Sequence, residues 1–229
     1  MNAKIAAAKR ASELVEDGMI IGIGSGTTVE LFLTELKKRI ESEGLEILGV
    51  PSSYQSKLLA VEAGIGLVDL LECPTLDMCI DGADEVDRNL NAVKGGGGAM
   101  TREKVVAHAS NEVVFIVEER KVVETLSHPV PVEVIPFSLG FVLKKLEELM
   151  KECGSFALPR IRQGTGKLGP VVTDNGNFIL DCDFGEIYDP GELEIELNSI
   201  PGVVECGIFT DVADRVIVGV DGGETYEIS

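Results

Sequence analysis

Short apolar runs that end in glycine alternate along this chain with segments whose apolar residues recur every three or four positions. In "MIIGIGSGTT" the run Ile20–Ile23 breaks into glycines, and in the following "VELFLTELKKRI" the residues Val29, Phe32, Leu33, Leu36 and Ile40 share one helical face. The pattern predicts a strand, a tight loop and a helix. It then repeats: "LEILGVPSS" reads as a strand, "YQSKLLAVEAG" as a helix, "IGLVDL" as a short strand, and "LDMCI" as a buried strand running into "DGADEVD". After four consecutive glycines, "AMTREKVVAHASN" is helical and "EVVFIVEE" is a strand, while the opening "MNAKIAAAKRASELVEDG" has the mixture of an amphipathic helix. Such alternation predicts an α/β fold with a parallel sheet covered by helices on both faces.

The texture changes at Pro129. "PVPVEVIPF" is extended and proline-spaced, and "LGFVLKKLEELMKECG" is an amphipathic helix ending on Gly154. "SFALPRIR" and "PVVTDNGNFILD" supply strands, the second folded as a hairpin at Asn175-Gly176. A helix, "PGELEIELNSI", and a strand, "GVVECGIF", follow. Strand, helix, two strands, helix, strand is the order of a ferredoxin-like α+β unit. The closing "RVIVGVDGGETYEI" reads as a hairpin that returns to the first sheet. The expected division is a main domain, 1–128 with 204–229, and an inserted smaller domain, 129–203.

Charge narrows the function. The 229 residues carry 20 Lys and Arg against 39 Asp and Glu, a formal net charge of −19. Short basic pieces such as "LKKRI" lie in helical patterns, so binding along a nucleic-acid backbone, which needs a basic surface, is not expected. A phosphate site would need local lysines and backbone N–H groups to overcome the field. Cys73, Cys79, Cys153, Cys182 and Cys206 show no C-x-x-C spacing, which predicts buried free thiols in a reducing compartment rather than disulfides or zinc. No signal-peptide pattern or membrane-length apolar run is evident, and a cytoplasmic protein is expected.

Three segments fall at the carboxyl ends of predicted strands, where open parallel sheets bind ligands. "GIGSGTT" departs from a dinucleotide fingerprint, because Thr27 stands where the third glycine is required; NAD binding is weakly supported. Ser25, Gly26, Thr27 and Thr28 opening a helix suit a phosphate, against the plainer reading of a glycine turn with a threonine cap. "DGADEVD" crowds Asp81, Asp84, Glu85 and Asp87 behind an apolar strand. It reads as a pair of ligand-facing carboxylates, a magnesium or calcium site, or an acidic turn. "KGGGGAMTREK" sets Lys94 and four glycines before Glu103. Glycines cost regular structure roughly 0.5 to 1 kcal/mol each, so a run of them is kept where the backbone itself must approach something. Glu103 alone reads as a first-turn acid. Together with Lys94 and the upstream carboxylates it supplies a base and oxyanion donors, the parts an enediolate needs. His108, His128 and Lys121 are read as structural or solvated on spacing alone.

Taken in order, "GIGSGTT", "DGADEVD", "KGGGGAMTREK", "PVEVIPF" and "VVTDNGNFILD" resemble the ribose-5-phosphate isomerase type A family over nearly the whole chain. The resemblance implies a Rossmann-like catalytic domain with a ferredoxin-like lid, a homodimer or homotetramer, and interconversion of ribose 5-phosphate and ribulose 5-phosphate in the pentose phosphate pathway without cofactor or metal. It implies Glu103 as the base, Asp81 and Lys94 as aids to ring opening and oxygen polarisation, and Asp84 as an orienter of hydroxyls. It further implies substrate contacts from Ser25, Gly26, Thr27 and Thr28, from Gly82 and Ala83, from Gly95, Gly96 and Gly97, and from Lys121 and Lys4. A sugar-phosphate sensor, an NAD-dependent dehydrogenase and a magnesium enzyme stand as rivals.

Overall fold

The computed structural model describes residues 2–166 and 168–229. The chain opens with α1 (Ala3–Ser12), β1 (Ile20–Ile23), α2 (Thr27–Glu43), β2 (Leu48–Pro51), α3 (Tyr54–Glu62) and β3 (Gly66–Leu67). Next come β4 (Met78–Gly82), β5 (Glu85–Val86), β6 (Ala92–Val93), α4 (Met100–His108) and β7 (Val113–Glu118). A second group holds β8 (Val130–Val134), α5 (Leu139–Glu152), β9 (Arg160–Ile161), β10 (Phe178–Cys182), α6 (Pro190–Asn198) and β11 (Val203–Cys206). The chain closes with β12 (Ile208–Phe209), β13 (Arg215–Gly219) and β14 (Thr225–Ile228).

Seven strands form the main sheet in the order β14-β13-β7-β4-β1-β2-β3, parallel except for the antiparallel β13–β14 edge. Its central strands are apolar throughout because helices cover both faces; β7, "VVFIVE", is buried from Val113 to Val117. On one face α1 and α2 bury Ala7, Ala8, Ala11, Phe32, Leu33 and Leu36, and on the other α4 packs Val106 and Ala107 near Phe115 and Phe209. The strand order reverses direction between β1 and β4, which opens a crevice beyond their carboxyl ends.

The second sheet runs β11-β8-β10-β9, with every pair antiparallel, the arrangement expected for a ferredoxin-like unit. Its core sets Val132, Leu180 and Cys206 against Val142, Leu146 and Met150 of α5. A third, small sheet, β12-β6-β5, ties the two larger ones together.

Three local expectations change. The Asn175-Gly176 turn exists, with Gly176 at φ 85°, but its first arm makes no strand. Val171 N–H donates instead to Arg162 C=O at 2.9 Å. "GVVECGIF" is two strands in two sheets, because β11 stays in the small sheet to Cys206 while β12 pairs with β6. We therefore propose that the chain returns to the main domain at Gly207 rather than between residues 203 and 204. Of the five thiols, Cys79, Cys182 and Cys206 are buried, Cys73 is half-buried and Cys153 is exposed.

One buried carboxylate links the units. Glu133, on β8, has no exposure to solvent, and among the described residues no ion pair reaches it. Its Oε1 accepts from Thr173 Oγ1 (2.8 Å), Asn175 Nδ2 (3.0 Å) and Asn177 Nδ2 (2.8 Å), and its Oε2 accepts from Thr101 Oγ1 (2.5 Å) in the first turn of α4. Four donors converge on one side chain. Glu133→Ala would strand them and should lower stability by about 3 kcal/mol or more, whereas Glu133→Gln keeps the acceptor for three of them and should cost less. Urea unfolding of the two variants measures this, and equal midpoints for Glu133→Ala and the parent would refute the linking role.

Candidate active site

The crevice is built by close backbone approach. A Cβ on Gly24, just past β1, would lie 2.0 Å from Asp81 Cγ, so only glycine lets the β1 loop pass over the end of β4. Asp81, the penultimate residue of β4, is only 1% exposed. Its Oδ1 accepts the N–H groups of Ser25 (3.1 Å) and Gly82 (2.7 Å), and its Oδ2 lies 2.9 Å from Lys94 Nζ.

Lys94 follows β6, and its N–H donates to Gly207 C=O at 2.7 Å. The third sheet thus aims its side chain inward. The ammonium is 2% exposed, sits 5.2 and 5.3 Å from the ring centres of Phe115 and Phe209, and donates to Gly82 C=O. Glu103, in the first turns of α4, lies opposite, with Oε2 3.2 Å from Lys94 Nζ. That distance makes an ion pair, and among the described residues Lys94 is the one partner of the buried Oε2.

One cation therefore serves two carboxylates. Asp81 holds the better share, with two N–H groups besides. Burial alone would lower the pKa of Lys94, but the charges of Asp81 and Glu103 outweigh it and raise the pKa above the ordinary lysine value. Burial, followed by the charge of Asp81, pushes Glu103 up to about 8, with Lys94 offsetting part of the rise. Protonating Glu103 leaves the buried trio neutral; ionising it leaves an unbalanced negative charge.

The open part of the crevice is a cleft of about 240 Å³ lined by Ser25–Thr28, Gly82–Asp84, Lys94–Gly97, Glu103 and Lys121. Asp84 Oδ2 accepts the Gly96 N–H at 2.7 Å, and a Cβ on Gly96 would meet that carboxylate at 2.9 Å. Gly95 and Gly98 take φ of 104° and 78°, so the run of glycines folds a turn that other residues rarely adopt. At the other end, the N-cap of the 17-residue α2 is Gly26, with no side-chain cap, so first-turn N–H groups face the cleft. Lys121 donates to Ala83 C=O; burial lowers its pKa and Asp84 opposes the fall. Lys4 reaches Thr27 Oγ1 at 3.0 Å from the rim.

The expected site residues thus gather around one cleft, with two qualifications. Asp81 lies one layer behind the lining, touching the cleft through Lys94, and Lys4 stands at its edge. The rest of the acidic run has other work: Asp87 Oδ1 accepts from Asn89 and Asn91 N–H, and Glu85 Oε2 accepts from Ser127 and His128 N–H. Sequence reasoning missed Ser52 and Ser53, whose hydroxyls bond Ser25 Oγ at 2.9 and 2.7 Å, and Arg162, which reaches the glycine turn from the small sheet. "GVPSSYQS" carried the first signal, since Ser53 and Ser56 form a capping box on α3. Among the described residues, the one group with metal-like convergence is Glu194, Glu205 and Cys206, and there Lys104 Nζ already bonds both carboxylates at 2.6 and 2.7 Å.

A carboxylate held near neutrality, a buried ammonium beside it and a bare helix N-terminus within one cleft define the class: an α/β enzyme that moves a proton on a small phosphorylated substrate. Comparison with known proteins specifies it. Residues 48–223 match the family model for ribose 5-phosphate isomerase A (phosphoriboisomerase A). The chain is 58% identical over 219 residues to ribose-5-phosphate isomerase A of Archaeoglobus fulgidus, covering 94% of each. The solved ribose 5-phosphate isomerase A of Methanocaldococcus jannaschii superposes with a TM-score of 0.89 at 47% identity over 97% of both chains. A D-ribose-5-phosphate isomerase in complex with phospho-erythronic acid superposes with a TM-score of 0.93 at 43% identity over the full length of both. The chain belongs to the ribose 5-phosphate isomerase A family, isomerases that interconvert ribose 5-phosphate and ribulose 5-phosphate.

The raised pKa of Glu103 fixes a sign for stability. Between the ordinary carboxylate value of 4.5 and about 8 the folded chain holds a proton here that the unfolded chain releases. The contribution of Glu103 is therefore complete below that range and is lost as pH rises through about 8. Lys94 does not bend this window, because its raised pKa lies above it. Urea midpoints from pH 5 to 8 should fall more steeply for the parent than for Glu103→Gln, and parallel profiles would contradict the buried proton.

Proposed function

We propose that Glu103 is the base that carries a proton between carbon 2 and carbon 1 of the open-chain pentose phosphate, through an enediolate. The observation that carries this reading is the single buried ammonium shared by Asp81 and Glu103, which leaves Glu103 poised near neutrality, where a general base is most effective. Lys94 keeps its proton, so it acts as a fixed positive charge for the substrate oxygens rather than as an acid. Asp81 works through Lys94, and aid to ring opening passes by that route. Asp84, beside the glycine turn, orients the sugar hydroxyls.

The phosphate belongs at the bare N-terminus of α2, with the hydroxyls of Ser25, Thr27 and Thr28 and with Lys121 and Lys4 supplying charge. A related isomerase is in complex with phospho-erythronic acid, a phosphorylated sugar acid, which supports a phosphorylated sugar as the class of ligand. Between Asp81 and Glu103 the ammonium of Lys94 takes the place a hard divalent cation would occupy, so the proposed reaction needs neither metal nor cofactor. The small domain acts as lid. Exposed Phe137, Phe141 and Phe156 on that domain support a homodimer or homotetramer. Five free cysteines support a cytoplasmic location, and the acidic charge argues against nucleic acid as a partner. No helix among the described residues is long and apolar enough to cross a membrane.

Ribose 5-phosphate incubated with the protein in chelator and deuterated water tests this reading. Ketose should form and deuterium should enter the exchanging carbon. Glu103→Gln should lower kcat by roughly a hundredfold to ten-thousandfold, the usual share of general acid–base catalysis. In the parent, kcat/KM should climb with pH toward about 8 as Glu103 ionises. A folded Glu103→Gln protein with full activity would remove Glu103 from its role.

A further inference from the structure

Arg162 lies just past β9, on the small sheet, and its side chain is 17% exposed. The guanidinium is held from one side by Asp181 on the neighbouring strand: Nε donates to Oδ2 at 3.0 Å and Nη2 to Oδ1. This fork leaves Nη1 aimed across the domain junction. There it donates to Gly95 C=O at 2.7 Å and to Gly96 C=O at 3.1 Å. An arginine has the planar, preorganised geometry for such a bridge, and a lysine does not.

Peptide planarity carries the consequence into the cleft. In a trans peptide the C=O and the following N–H point in opposite directions, and the structure contains no cis peptide among its described residues. Holding Gly95 C=O toward Arg162 turns the Gly96 N–H the other way, where it meets Asp84 Oδ2 at 2.7 Å. Holding Gly96 C=O in turn sends the Gly97 N–H to the same side. Among the described residues no backbone acceptor takes that N–H, and a Cβ on Gly97 would meet nothing within 4 Å. Gly97 lines the cleft beside Lys94 and Glu103.

We propose that Arg162 is a positioning residue for the isomerase reaction: it fixes two successive peptides of the glycine turn so that the Gly97 N–H stands ready for the substrate oxygen that becomes charged. The inference rests on the functional reading above and adds a residue from the other domain to it. A donor of this kind stabilises the transition state more than the substrate, so its misalignment lowers kcat and weakens a carboxylate analogue together. It also makes the turn depend on the small domain being in place, since the Arg162–Asp181 fork belongs wholly to that domain.

The test compares Arg162→Ala, Arg162→Lys and Asp181→Asn with the parent, scoring kcat and KM for ribose 5-phosphate, affinity for phospho-erythronic acid and thermal unfolding. Arg162→Ala should lose on the order of tenfold to a hundredfold in kcat, with a parallel loss of analogue affinity and little change in KM. Arg162→Lys should recover only part of this, and Asp181→Asn should lose less because the bonds to the carbonyls survive. The Glu103-dependent limb of the pH profile should stay in place, since the geometry of Glu103 is untouched. Parent-like kcat and analogue affinity in Arg162→Ala, or losses explained by the unfolded fraction alone, would overturn the proposal. If Arg162→Ala does not fold, the same judgement falls on Arg162→Lys and Asp181→Asn. Turnover by the unaltered chain reports separately on the functional reading, whereas the variant-to-parent ratio reports on Arg162.

Discussion

A lysine ammonium removed from water between two carboxylates is the interaction on which the rest of this structure depends. Burying such a charge unpaired would be prohibitive, and pairing it with one carboxylate would only balance the account. The second carboxylate is what makes the arrangement unbalanced, because Glu103 shares its one cation with Asp81 and is pushed up to about 8 by burial and by the charge of Asp81. Every element near the centre serves to hold this imbalance. The end of β4 fixes Asp81, the third sheet fixes Lys94, α4 brings in Glu103, and Phe115 and Phe209 exclude the water that would relax all three.

Glycine makes that assembly possible at two scales. Gly24 has no side chain because Asp81 occupies the space, so the first loop and the acidic strand end could not coexist otherwise. In the turn 95–98, closed by the Gly98 N–H on Gly95 C=O at 2.9 Å, the same freedom lets the backbone present the Gly96 N–H on one side and the Gly95 and Gly96 carbonyls on the other. Those two faces belong to different domains: Asp84 binds one and Arg162 the other. The turn is thus the joint at which the small domain meets the chemistry, and Glu133 anchors the neighbouring α4 from that same domain through Thr101.

The alternation of strands and helices was legible because apolar runs and helical spacing are local patterns. Lys94, Glu103, Asp81 and Asp84 were legible because they crowd into two short segments beside glycines that no regular element would keep. Arg162 and Glu133 were not. Each acts through partners tens of residues away, and neither "PRIR" nor "PVEV" differs locally from an ordinary edge of a strand. The same limit explains the Asn175-Gly176 hairpin: its turn chemistry is right and Thr173 N–H donates to Asn177 C=O at 2.9 Å, but the next residue back along the arm with a backbone bond, Val171, pairs with Arg162 instead of the second arm. It also explains β11 and β12, where a continuous apolar pattern conceals a change of sheet at Gly207.

The acidity of the chain sets the terms on which a phosphate can enter. At a net charge of −19 the far field repels an anionic sugar phosphate, so attraction has to arise within the cleft, inside roughly one Debye length of about 8 Å. The structure concentrates its countermeasures there: the uncapped N-terminus of α2, Lys4 and Lys121 at one end, and Lys94 with the glycine turn at the other. Of these, Lys94 is paired with Asp81 and Glu103, so its charge acts at short range on oxygens beside it rather than as a long-range attraction. At the α2 end Lys4 and Lys121 are faced by Glu118 and Asp84, so the unpaired donors there are those of the bare helix N-terminus, while the reacting end is close to neutral when Glu103 is protonated. On the proposed reading the phosphate goes to these helix N–H groups and the sugar carbons toward Glu103. The donors that offset the acidity of the whole molecule are thus gathered inside its cleft.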